Sequence, residues 1–128
     1  MPTIGFIGNK LDLQIVQGAT FGPHAVTLRN PNESPVNLTG ATVRAQIRKR
    51  PVDGGDLVAD VQCTITNAAQ GQFSFEIADE VTAEFPAGEG QQDPAALAEW
   101  DMEMVDAAGR TTRLYYGTVV VYRGVSQP

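Results

Sequence analysis

The stretch Leu57-Val-Ala-Asp-Val-Gln-Cys-Thr-Ile-Thr-Asn-Ala-Ala-Gln-Gly-Gln-Phe-Ser-Phe-Glu-Ile77 decides the fold class. Leu57, Ala59, Val61, Cys63 and Ile65 alternate with Val58, Asp60, Gln62 and Thr64. Phe73, Phe75 and Ile77 then alternate with Ser74 and Glu76. Successive side chains of a strand point to opposite faces, so period two gives each segment one dry and one wet face. Sheets with a wet face are usually antiparallel. Asn67 to Gly71 supplies the turn between the two strands.

The same period extends outward on both sides. Leu11, Leu13 and Ile15 alternate with Asp12 and Gln14; Val43, Ala45 and Ile47 alternate with Thr42, Arg44, Gln46 and Arg48. Trp100, Met102 and Met104 alternate with Asp101 and Glu103. His24–Arg29 makes a shorter strand and Thr111–Tyr122 a long one, in which Gly117 predicts a bulge or a crossing to another sheet. Asn30 to Pro35, Asp53 to Asp56 and Asp106 to Gly109 read as turns. Such spacing of turn signals, every ~8–14 residues, predicts a sandwich or barrel. Asp79–Phe85 breaks the pattern. Val81 and Phe85 lie four apart, Asp79 serves as N-cap and Pro86 as stop, which predicts a short helical turn. Gly88–Pro94 reads as a surface loop, and Ala95–Glu99 as a second helical turn before the Trp100 strand. In Met1–Lys10, Gly5 and Gly8 interrupt Ile4, Phe6 and Ile7, so residues 1–10 read as an N-terminal arm outside the sheet.

Composition removes several classes of function. The chain has 128 residues, enough for one domain with its own core. Its net charge of −6 argues against nucleic acid, which requires a basic footprint. A single cysteine excludes an internal disulfide and multi-cysteine metal sites, and a single histidine excludes sites that need two. No apolar run approaches the ~18 residues of a membrane span, and no basic region followed by an apolar stretch marks a secretory signal.

The search for catalytic chemistry nominates no residue. His24 reads as a surface or edge histidine. Cys63 falls on the apolar parity of its strand and packs as a small hydrophobe, which removes a dyad with His24. Asp101 and Glu103 lie about 7 Å apart on a wet face. That spacing suits acid–base work, and equally suits cross-strand pairing with Arg44 and Arg48. Asp53-Gly-Gly-Asp56 lacks the ligand series of a calcium loop and reads as a hairpin turn. Asn37-Leu-Thr39 matches a glycosylation acceptor without a secretory context, and Gly88-Glu-Gly90 lacks the helix of a phosphate loop. No cofactor is implied. Charge is uneven: residues 1–64 carry six basic and five acidic side chains, residues 65–128 three and ten. Arg44, Arg48, Lys49 and Arg50 therefore either orient a partner or neighbour an acidic strand within the fold.

Several segments, in this order, resemble a family. They are Leu13-Gln-Ile-Val-Gln-Gly-Ala-Thr-Phe21, Pro35-Val-Asn-Leu-Thr-Gly-Ala-Thr-Val-Arg-Ala-Gln-Ile-Arg48, and Thr64–Phe75 followed by Pro86-Ala-Gly88. Trp100-Asp-Met-Glu-Met104 and Gly109–Val119 complete the series. Together they are similar to small tailed-bacteriophage virion proteins with an immunoglobulin-like domain, and to the N-terminal domain of phage baseplate upper proteins. Glu89–Glu99 and the Met1–Lys10 arm are additions to that pattern. The resemblance implies an all-β, immunoglobulin-like antiparallel β-sandwich of about seven strands with one short helical turn, in residues 11–128.

The resemblance also implies assembly rather than catalysis. The expected function is a non-enzymatic structural protein of the tail, baseplate or fibre attachment, with capsid decoration and a carbohydrate-binding module as alternatives. Expected partners are other virion proteins and further copies of the chain, with no nucleic acid, no membrane and at most a weak glycan contact. The location is the virion, assembled in the host bacterial cytoplasm. Expected contact residues are Ile4, Phe6 and Ile7 of the arm, Arg44 and Arg48, Glu89, Gln91 and Gln92 of the loop, and Tyr115 as the aromatic residue facing water. The expected core is Leu13, Ile15, Val43, Ile47, Val61, Ile65, Phe73, Phe75, Trp100, Met102 and Leu114.

Overall fold

Strand β5 (Leu57–Asn67) organises the molecule because its two halves have different partners. Leu57–Val61 pairs with β4 (Thr42–Arg48), and Gln62–Asn67 pairs with β6 (Gln72–Ile77), both antiparallel. A computed structural model describes residues 8–49, 57–85 and 95–124. Among these residues the fold is all-β and sandwich-like. The remaining strands are β1 (Asn9–Lys10), β2 (Leu13–Val16), β3 (Phe21–Thr27), β7 (Ala95–Val105) and β8 (Thr111–Tyr122). They form one curled sheet in the order β1-β8-β7-β4-β5-β6-β3, with β2 also on β8.

The curl brings the inner faces together. Phe75 on β6 stacks on Trp100 of β7, with ring centroids 6.1 Å apart. Ile15, Ile47, Phe73, Met102, Val119 and Val121 fill the space between the faces. Val43 and Ile65 are only partly buried, at the margin of the core. Val119 and Val121 escaped the sequence expectation because β8 alternates less strictly than the other strands.

The sheet is mixed rather than wholly antiparallel, and it has eight strands among the described residues. β1 and β2 run parallel to β8 in one register: Asn9 opposes Tyr115 and Leu13 opposes Val119. A parallel pair requires a long connection, and here most of the chain intervenes. The sheet thus extends into the segment expected to be an arm, since Asn9 and Lys10 belong to it.

At Leu11 and Asp12 the parallel ladder is interrupted, and Gly117 explains how. A Cβ on Gly117 would collide with the Leu11 carbonyl. The missing side chain admits that carbonyl, which accepts a 2.6 Å hydrogen bond from the Trp100 indole Nε1–H. Trp100 is the cross-strand partner of Gly117. The Asp12 carboxylate accepts the Thr118 N–H at 3.0 Å, in place of a ladder bond. The expected bulge or crossing at Gly117 is therefore a close backbone approach.

Two further expectations fail for one reason, the pairing of β7 with β8. Ala95–Glu99 is strand, not helical turn, because it continues the ladder opposite Thr118–Val121. Non-local pairing overrides the helix propensity of alanine. The register of the two strands also shifts between Met102 and Glu103, which leaves Leu114 as the extra residue of β8. Leu114 is buried, and Tyr115, paired with buried Met102, points inward as well. Simple alternation from Leu114 would have turned Tyr115 outward.

The short helix α1 (Asp79–Thr82) forms where the sequence placed it, with its N-cap at Ala78 rather than Asp79. Asp79 accepts the Glu80 N–H through Oδ1 at 2.8 Å. Phe85 is buried, while Val81 is exposed. Fully buried Thr82 fastens the helix to the β2–β3 turn. Its hydroxyl donates to the Ala19 carbonyl at 2.8 Å and accepts the Gly18 N–H at 3.1 Å.

Candidate functional site

The edge strands β2 and β3 are each paired on one side only among the described residues. β2 pairs on one side with β8, and β3 pairs on one side with β6. The turn at residues 17–20 joins them, so the two free edges diverge from a common corner. Gln17 holds that corner by donating its Nε2–H to the Phe85 carbonyl at 2.9 Å. Pro23 lies within β3, and edge strands are where a proline is tolerated. The strand irregularity between Phe21 and His24 also falls at this edge.

Between the edges lies a groove of about 340 Å³. Leu11 and Leu13 form one wall, Phe21 and Val26 the other, with Phe75 and Tyr115 also lining it. Asp12, Gln14 and His24 add polar groups. The His24 ring lies edge-on to Phe21 at 4.7 Å and 5.4 Å from Phe75, on the free edge as expected. Hydrogen bonding from the Thr118 backbone holds the Asp12 carboxyl below the usual carboxylate range. Leu11 is 39% exposed at the mouth of the groove, although it shares the parity of buried Leu13 and Ile15.

The outer face of β4, β7 and β8 is polar and forms a broader hollow of about 730 Å³. Arg44 of β4 opposes Glu103 of β7, and the two form a 2.9 Å ion pair. Arg48 reaches Gln46 Oε1 at 2.9 Å, and Gln46 in turn donates to Asp60 at 3.0 Å. Asp101 is raised above its ordinary value by burial first, then by neighbouring Glu103, against the pull of Arg113, Arg44 and Arg48. The Arg113 guanidinium lies over the Tyr116 ring at 4.5 Å. The charge asymmetry of the sequence thus resolves into a basic strand beside an acidic one.

The expected contact residues separate accordingly. Arg44 and Arg48 share the outer face. Tyr115 lies on the inner side, partly buried and stacked on Trp100 at 6.4 Å, where it lines the groove rather than standing on the outer face. Ile4, Phe6, Ile7, Glu89, Gln91 and Gln92 lie outside the described residues, as do Asp53 and Asp56. Sequence reasoning missed Phe21, Val26 and Leu11 as groove residues, because a free edge is defined by a pairing that does not form. Cys63 is half-buried rather than fully buried, and burial pushes its thiol up to about 11. Asn37 accepts the Thr39 N–H at 2.9 Å, so the acceptor-like tripeptide forms a local turn. Among the described residues no group of three or more His, Cys, Asp or Glu side chains is placed to hold a metal ion. No protein-family model matches the chain, and no curated protein matches it.

Proposed function

We propose that this chain is a non-enzymatic structural protein of a tailed-phage virion that works by protein–protein contact at its sheet edges. The observation that carries the contact part is the pair of unpaired edges, β2 and β3, flanking an apolar groove. Open edges can accept another strand, with backbone hydrogen bonds giving affinity and side-chain pockets giving specificity. In a symmetric particle, many weak contacts of this kind add up through effective concentration. The resemblance of the successive sequence segments between Leu13 and Val119 supports the phage part; a tail, baseplate or fibre-attachment position is the preferred one and capsid decoration the alternative. On this reading the partners are other virion proteins and further copies, and the chain joins the particle in the host cytoplasm.

The test is direct. Mass spectrometry of purified particles finds the chain at fixed stoichiometry, and an electron-microscopy map places it in the tail. Its absence from particles overturns the proposal. A map position on the capsid shell moves it to decoration. The carbohydrate reading would draw on Tyr115, which is partly buried against Trp100 and lines the groove.

A further inference from the structure

We infer that the polar hollow on the outer face of β4, β7 and β8 receives the acidic α1 turn of a second copy of this chain. The inference concerns a surface other than the open edges, and it stands or falls apart from the assembly reading.

Charge is segregated first along the sequence and then by strand register. Residues 51–109 hold thirteen of the fifteen acidic side chains and none of the nine basic ones. Pairing places β7, from that acidic stretch, between β4 and β8. Arg44–Glu103–Arg113 and Arg48–Glu99–Thr118 form two rows across the sheet. Between them runs the row Gln46–Asp101–Tyr116–Lys10. Lys10, Arg48, Lys49 and Arg113 thus line the hollow against Glu99, Asp101 and Glu103, while Arg44 balances Glu103 from beside it. Five cations against three anions give this face +2, which leaves −8 on the rest of a chain of −6. A basic face on an otherwise acidic molecule complements the surface of its own copies.

The acidic element that matches it is α1. Asp79, Glu80 and Glu84 are all exposed, within six residues. Outside the hollow, the other carboxylates of the described residues are engaged or dispersed. Asp12 accepts the Thr118 N–H, Asp60 accepts from Gln46, and Asp106 pairs with Arg110. Glu33 and Glu76 lie singly, one on a turn and one on β6. The chain's own α1 is not the occupant. Thr82 fastens it to Gly18 and Ala19, Gln17 fastens Phe85, and no α1 residue lines the hollow.

The hollow has room and donors for such a guest. Its volume of about 730 Å³ falls among ordinary binding pockets of about 300–1,000 Å³. Glu103 engages Arg44 through one carboxylate oxygen, at 2.9 Å from Nε and from Nη2, and a guanidinium carries further N–H donors. β4 is bonded on both sides, to β5 and β7, so a guest on its face meets side chains and leaves the backbone ladder as it is. Hollow and turn are different patches, so the contact runs head to tail and closes into rings or continues as filaments.

The test is sedimentation of the full-length chain at low ionic strength. Wild type is expected to associate reversibly, and less so as salt is added. Glu80→Lys with Glu84→Lys, or Lys10→Glu with Lys49→Glu, is expected to weaken association about tenfold or more, because like charges then face each other. Glu33→Lys with Glu76→Lys changes the net charge as the α1 pair does and is expected to leave association unchanged. An equimolar mixture of the two weakened variants is expected to associate again, which two misfolded chains would not do. Asp101→Asn, which removes the negative charge in the middle row, is expected to tighten association. A wild-type chain that stays monomeric overturns the inference, as do equal weakening by the Glu33 and Glu76 pair and a mixture that fails to recover. Loss of this association in a chain that still enters particles leaves the assembly proposal standing. Association of a chain absent from particles does the reverse.

Discussion

The join of the N-terminal strands to β8 and the outer face of β4 and β7 solve the same problem, holding neighbouring strands in register, by opposite means. At the join, single atoms matter. One carbonyl sits where Gly117 lacks a side chain, one indole N–H binds it, and one carboxylate replaces a ladder bond. On the outer face the cross-strand contacts are many and exposed, and the Arg44 side chain keeps 62% of its accessibility. Buried polar groups cost most when they lose a partner, whereas exposed ion pairs contribute little. The molecule is therefore brittle where the chain crosses Gly117 and tolerant where its charges lie.

Substitutions that sharpen this contrast fall in a definite order. Trp100→Ala removes a buried aromatic and the donor to Leu11 together, with an expected loss of about 3–5 kcal/mol in urea unfolding. Gly117→Ala forces the Leu11 backbone away and is expected to cost about 1–3 kcal/mol. Arg44→Ala is expected to cost less than about 1 kcal/mol, and less still at high salt. A loss from Arg44→Ala as large as that from Gly117→Ala would erase the distinction.

The pH dependence separates the same two regions. The Asp12 carboxyl titrates below its unfolded value of 3.8, so its contribution is present above that value and is lost as pH falls through its folded value. Asp101 is displaced in the opposite direction. A raised carboxylate favours the fold when protonated, below its unfolded value, and that advantage is lost as pH rises through the folded value. Asp101→Asn is accordingly expected to leave stability at neutral pH unchanged or slightly higher, measured as a shift in thermal midpoint. Asp12→Asn is expected to lower that midpoint at neutral pH and to narrow the gap to wild type in acid.

The sequence makes some of this plan legible and hides the rest for physical reasons. The β5–β6 pair was readable because both strands alternate and a turn joins them locally. β4 and β7 were readable as alternating strands, and cross-strand pairing of Asp101 and Glu103 with Arg44 and Arg48 was one of two readings of their charges, realised for Arg44 and Glu103. β3 was read from His24, but it starts at Phe21, because Gly22-Pro23 looks like a break while an edge strand tolerates it. Ala95–Glu99 was hidden because its strand state depends on β8. Tyr115 was misplaced because the extra residue at Leu114 shifts parity, which no local pattern announces. The groove was invisible because it lies between two edges that are unpaired among the described residues, and only the full topology shows which strands those are.

Hydrogen exchange of the free chain and of the chain in assembled particles tests most directly that function resides at the two open edges. Protection is expected to rise over Leu13–Val16 and Phe21–Thr27 on assembly, with little change over Thr42–Arg48. Unchanged exchange at those two strands, with new protection confined to the outer face of β4 and β7, would contradict the account.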